Sequence, residues 1–143
     1  MNNQSENEVI WSNDFLKLHN IANKSCGLFV ATKEYIPIES FKKAFEKAAD
    51  FAKEYEWKAF IFDKSNLTVF HQPSMEWYYT SWKSNLANQG ITMHFKILPE
   101  EPWFKASVDA GKSEIKSKYP NFNFDIFEVK HVKNVEEALR QIQ

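Results

Sequence analysis

Glycine is scarce, three residues in 143, and this speaks against a glycine-rich phosphate loop, which needs several at fixed spacing. Cysteine is scarcer still. Cys26 stands alone, so no intrachain disulfide can form. Its place beside Gly27, at the start of an apolar piece, marks it as a small buried residue. No apolar run approaches the about 20 residues of a membrane-crossing helix. The polar, acidic opening MNNQSENE is unlike a secretory signal, so the expected compartment is the reducing cytoplasm. Neither sign of charge dominates. With 18 Lys and Arg against 19 Asp and Glu, the net charge is −1, which gives no electrostatic reason to expect nucleic acid or an anionic membrane as partner. His19, His71, His94 and His131 are scattered without ligand spacing, so neither a metal nor another cofactor is called for. No nucleophile has a visible base, and no catalytic residue is assigned.

Aromatic side chains are abundant: thirteen Phe, five Tyr and five Trp. They imply a bulky core, an aromatic surface, or both. Val9, Ile10 and Trp11 read as a short strand, and an extended piece runs from Phe15 toward Ile21. Residues 26–32 (CGLFVAT) give another strand. Short polar separators let these pieces pair as an antiparallel meander. Phe41, Ala44, Phe45, Ala48, Ala52 and Tyr55 then recur at helical spacing, which predicts a helix ending near Glu56. A second helix opens near Ser74, with Met75, Tyr78, Tyr79, Trp82 and Leu86 as its buried stripe and Gly90 just past its end. Residues 91–98 (ITMHFKIL) alternate. Ile91, Met93, Phe95 and Ile97 lie on one side, and Thr92, His94 and Lys96 on the other, as in a strand near a sheet edge. A third helix follows the acidic turn at Pro99–Pro102 and stops at Tyr119 and Pro120. Residues 124–129 give the last strand. Asn134 and Glu137 have capping-box spacing before a closing helix.

The chain is organised around residues 58–86. KAFIFD, residues 58–63, is apolar on both faces, as a central parallel strand between helices is. The polar break at Lys64, Ser65 and Asn66, the apolar piece from Leu67 to Phe70, and the loop His71-Gln72-Pro73-Ser74 lead into a helix. The carboxyl end of such a strand, facing a helix amino terminus, is where α/β sheets usually read ligands or partners.

This stretch, with its element order, resembles the STAS domain family, the SpoIIAA-like fold of bacterial anti-sigma-factor antagonists, and the bacterial STAS/SEC14-labelled proteins. The likeness lies in KAFIFD, then Ser65-Asn66-Leu67-Thr68, then a loop opening a helix near Ser74. It covers residues 9–143 and rests on short motifs. It implies one α/β domain over residues 8–143, with a mixed, mainly parallel sheet and about four helices, after a disordered tail over residues 1–7. It also implies a serine at the helix start that a partner kinase phosphorylates. Here His71, Gln72 and Pro73 stand where the family carries Asp-Ser-Ser or similar, Ser74 falls one or two positions late, and the usual glycine is missing. Ser74 is the phosphosite the resemblance offers. Its plainer reading is a helix cap.

The expected function is a non-enzymatic regulatory or interaction module. Its partner protein, or a second copy of the chain, would be read through a surface holding Asp63, His71, Gln72, Ser74, Trp77 and Trp103. Besides Ser74, three have a plainer reading: Asp63 caps a turn, His71 is a solvated loop residue, and Trp103 lids the core. The alternative is a carrier of a small apolar ligand or lipid, for which the aromatic excess is the motive.

Overall fold

Three short strands joined by tight turns open the molecule: β1 (Asn7–Ser12), β2 (Leu16–Ile21) and β3 (Cys26–Ala31). The first turn is set by Asn13, whose side-chain oxygen accepts the N–H groups of Phe15 and Leu16 at 2.8 Å each and so supplies the turn itself. The second is a 3₁₀ turn, Ala22–Lys24, closed by Ser25 in the left-handed region at φ 50. The computed structural model describes residues 7–68, 72–82, 91, 93–99, 102–122 and 128–142. Beyond the meander the elements alternate: α1 (Ile38–Glu54), β4 (Ala59–Asp63), α2 (Gln72–Trp77), β5 (Met93–Ile97), α3 (Pro102–Lys118), β6 (Glu128–His131) and α4 (Val135–Gln141).

The six strands lie in the sheet in chain order. The pairs β3–β4, β4–β5 and β5–β6 are parallel. The pairs β1–β2 and β2–β3 are antiparallel, so the sheet is less parallel than "mainly" implies. The reason is local: connectors of a few residues can only reverse the chain, whereas parallel pairing needs a crossover. Expected as the interior rung, β4 pairs parallel on both sides, and Ala59, Phe60, Ile61 and Phe62 are all buried.

Alternation sends Phe29, Phe60 and Phe62 to one sheet face, where they meet Phe41 and Phe45 of α1 and Tyr78 and Trp82 beyond α2. Phe104 and Ile115 of α3 join the same cluster. Leu28, Ile61, Phe95 and Ile97 point the other way, onto Ala138 of α4 and Ile142 just past its end. Helices α1 to α3 thus share the front face and α4 covers the back. That is what crossovers of one hand produce when each new strand is added on the same side. Gly27 is fixed by close approach: a Cβ there would run into the ring of Trp57, whose Nε1 donates to Asn20 at 2.8 Å.

Helix α1 stops without glycine. Glu56 takes the left-handed position at φ 55, and the Trp57 N–H reaches back to the Ala52 carbonyl at 3.0 Å, a Schellman closure. Asn134 caps α4, accepting the Glu137 N–H at 2.9 Å. Glu137 answers through the N–H of Lys133 at 2.9 Å, one residue before the cap. This is a variant of the expected box, in which the answering N–H belongs to the cap itself.

Three expectations need correction. Strand β5 is interior, between β4 and β6. His94 and Lys96, expected on its open side, are buried because α2 and α3 cover that face. Ser74 is not the helix cap: α2 already begins at Gln72, because Pro73 is tolerated in a first turn, where its missing N–H leaves no bond unmade. And α2 does not continue as a regular helix but widens into a π turn, Tyr78–Trp82, which lets the consecutive Tyr78 and Tyr79 both be buried. Leu86 and Gly90 lie outside the described residues. So does most of the last predicted strand; β6 is seen from Glu128 to His131.

Candidate functional site

A hollow of about 330 Å³ opens at the carboxyl edge of β4, β5 and β6, between the sheet and α3. The ladder runs past the strand ends, with the Lys64 N–H on the Ile97 carbonyl at 2.7 Å and the Val132 N–H on the Lys96 carbonyl at 3.0 Å. Two-residue alternation then fixes the front face: Lys64 after Phe62, Leu98 after Lys96, Lys133 after His131. Strand register sets Phe62 beside Lys96 and Lys96 beside His131. Opposite them, α3 contributes Lys105, Val108, Asp109 and Lys112, whose spacing makes one stripe of a helix. Two independent periodicities therefore aim cations into the same space.

Among the described residues, five lysines and His131 line the pocket against one carboxylate, Asp109. Two of the lysines form its floor: Lys64 is 1 % exposed and Lys96 3 %. Lys96 Nζ donates to the Tyr79 hydroxyl at 2.8 Å, which also hydrogen-bonds Lys112. The ammonium lies 4.8 Å from the Tyr79 ring centre and 5.5 Å from that of Tyr78. Lys64 Nζ lies 4.9 Å from the Phe62 ring and 5.8 Å from that of Tyr78. The aromatic faces replace part of the lost hydration, but not all of it: burial pushes the Lys96 amine down to about 8. Burial likewise pushes the Tyr79 phenol up, with Lys112 opposing. His131 is held below the usual imidazole range, first by desolvation and then by the positive field of Lys96, Lys112, Lys64 and Lys105. Leu98, Val108 and Val132 make the pocket's apolar wall.

The surface expected from the sequence lies close by and is not this pocket. Asp63 ends β4, and its carboxylate accepts the Ser65 N–H at 3.0 Å and hydroxyl at 2.7 Å, which is the turn-capping reading. Its neighbour Lys64 is the residue that enters the hollow. Ser74 is 1 % exposed, so a modifying enzyme reaches it only if the start of α2 opens. Trp77 packs edge-on against Phe41 at 6.1 Å, with Lys42 over its ring. Trp103, at 58 % exposure, stands in solvent at the start of α3 rather than lidding the core. Neither tryptophan lines the pocket. His71 lies outside the described residues, as does the Gln72 side chain. Cys26 is buried, and its thiol is pushed up by desolvation. Among the described residues no three His, Cys, Asp or Glu side chains gather as metal ligands, and no helix is long and apolar enough to cross a membrane.

Sequence reasoning missed Lys64, Lys96, Lys105, Lys112, His131 and Lys133. The one local signal was Lys96, a charge inside the otherwise apolar stretch HFKIL. A second hollow, of about 670 Å³, lies between the β1–β2 turn and α1; it is more open and lined by both signs, Glu39 and Glu46 with Lys42 and Lys43. The chain matches no protein-family model, no curated protein and no solved structure.

Proposed function

We propose that the chain is a non-enzymatic, STAS-like regulatory module that reads a small anionic ligand in the pocket floored by Lys64 and Lys96. The observation that carries this reading is the pair of buried ammonium groups facing a solvent-accessible hollow. An ammonium loses several kcal/mol on leaving water unless a partner charge repays it. Among the described residues that line the pocket Asp109 is the one carboxylate, and it is exposed, so cations outnumber anions along this wall. A wall of Leu98, Val108 and Val132 adds a place for a short apolar tail. A volume of about 330 Å³ suits a small metabolite. The apolar-ligand alternative enters this reading as the tail of the anion.

Isothermal titration of the purified chain with inorganic phosphate, 4-methylpentanoate and a small phosphomonoester tests the proposal. At least one anion binds at pH 7, and Lys112→Gln weakens it about tenfold, the loss of one charge-assisted hydrogen bond. Absence of binding by all three, or equal binding by native chain and variant, sinks it. Whether occupancy changes a contact with a partner protein is a separate matter, read at the Asp63 and Trp77 surface by pull-down with and without the anion.

A further inference from the structure

We propose that Lys96 captures its ligand covalently and reversibly, as an imine with the carbonyl carbon of a short oxo acid whose carboxylate sits among the neighbouring lysines. This rests on the anion-binding reading above and narrows its ligand to one class. Three features of the pocket each match one part of such a molecule. The cations match the carboxylate, the wall of Leu98, Val108 and Val132 matches a short hydrocarbon tail, and the amine at the floor matches the carbonyl. A saturated carboxylate would use the first two and leave the third idle.

The step needs no co-reactant. The neutral Lys96 amine adds its lone pair to the carbonyl carbon. The carbonyl π pair moves to oxygen, which takes a proton, and the nitrogen loses one. The resulting carbinolamine expels its hydroxyl as water after a second proton transfer. The sum is amine plus carbonyl giving imine plus water, with no change of oxidation state. The Tyr79 hydroxyl, 2.8 Å from Lys96 Nζ, is placed to pass protons between nitrogen and oxygen. Its bond to Lys112 holds it there, which makes Tyr79 a positioned proton carrier. Burial supports the chemistry. With the amine lowered to about 8, on the order of a tenth is neutral at pH 7, and desolvation is an established way of activating a lysine toward carbonyls. Once protonated, the imine keeps the positive charge, so the pairing with the carboxylate survives the reaction.

Sodium borohydride trapping tests the proposal. The full chain is incubated with 4-methyl-2-oxopentanoate, reduced, and weighed intact by mass spectrometry, and the adduct is mapped by peptide digestion. We expect one reduced adduct per chain, on Lys96. Lys96→Arg keeps the charge and abolishes the adduct, while calorimetry still detects 4-methylpentanoate, which has no carbonyl. Tyr79→Phe slows adduct formation several-fold, with the adduct still on Lys96. Should 4-methylpentanoate bind with no adduct trapped, the imine is wrong and the anion reading stands. An adduct on Lys64 or spread over surface lysines overturns the assignment to Lys96. If no anion binds at all, both fall together. Should Lys96→Arg fail to fold, mapping on the native chain decides by itself.

Discussion

The front face of the sheet has two ends, built to the same plan and filled differently. Over β3 and β4, helix α1 lays Phe41 and Phe45 on Phe29 and Phe62. Phe29 and Phe45 stack at 4.2 Å, Phe41 and Phe45 at 4.4 Å, and Phe45 meets Phe62 at 5.2 Å. Over β5 and β6, helix α3 faces Lys96 and His131 with Lys105 and Lys112, and a cavity of about 330 Å³ stays open. In both places a helix covers parallel strands, so the backbone does not explain the difference. Side-chain chemistry does. Rings interdigitate to interior density, whereas ammonium groups repel one another and hold solvent between them. One end of the face is closed by packed rings, and the other keeps a charged, open space.

The largest effect belongs to the dry end. Phe45 touches rings of α1, β3, β4 and the π turn. Phe45→Ala removes all of them and leaves a hole that rigid neighbours cannot close, which costs about 3–5 kcal/mol. Urea unfolding followed by tryptophan fluorescence measures it. A loss under about 1 kcal/mol would mean that the aromatic layer is not what holds this end. The same variant, while folded, binds anions as the native chain does.

How legible each end was follows from the same contrast. KAFIFD announced an interior strand because burial on both faces leaves an unbroken apolar run. The stripe of α1 was plain because five buried side chains recur at helical spacing. The π turn was not visible: Met75, Tyr78, Tyr79 and Trp82 fit a regular helical stripe equally well. The pocket was largely hidden because its cations come from four separate stretches, brought together by parallel register that no local pattern encodes. In the sequence Lys105 and Lys112 look like any solvated helix face. Lys96 was assigned to an open strand face because alternation says which side a residue takes, not what covers that side. The residue singled out at the end of β4 was Asp63, one position and one sheet face away from Lys64.

The charged end makes the opposite prediction for stability. Lys96 is lowered from 10.5 to about 8, so the folded chain releases this proton before the unfolded chain does. Between pH 8 and 10.5 the unfolded state therefore binds more protons, and stability rises with pH across that window. Below pH 8 the folded state carries the charge at a cost of about 3 kcal/mol. Lys96→Met should be more stable than the native chain at pH 7, by up to about that amount. Its advantage should shrink as the pH climbs from 8 toward 10.5. Thermal unfolding at pH 7, 8.5 and 10 checks both the sign and the trend. A methionine variant less stable at pH 7 would place Lys96 among the supports of the fold and erase the distinction between the two ends.

The smallest effect is the most local. His131 titrates below the usual range through desolvation and then through Lys96, Lys112, Lys64 and Lys105, with Lys133 and Asp109 also on the pocket wall. Lys112 is half-buried on α3, so Lys112→Gln removes one charge without disturbing the sheet. The His131 pKa should then rise toward the ordinary imidazole value, though not reach it, since desolvation and three lysines remain. A bound anion should move it the same way in the native chain, by cancelling part of the same field. Both shifts are read from the His131 ring protons by NMR across pH 5 to 8. Added salt should reproduce part of the rise, because exposed charges are screened. If Lys112→Gln and the anion both leave His131 unmoved, the lysines do not act on a common space, and the cavity is a packing gap with charged neighbours rather than a site.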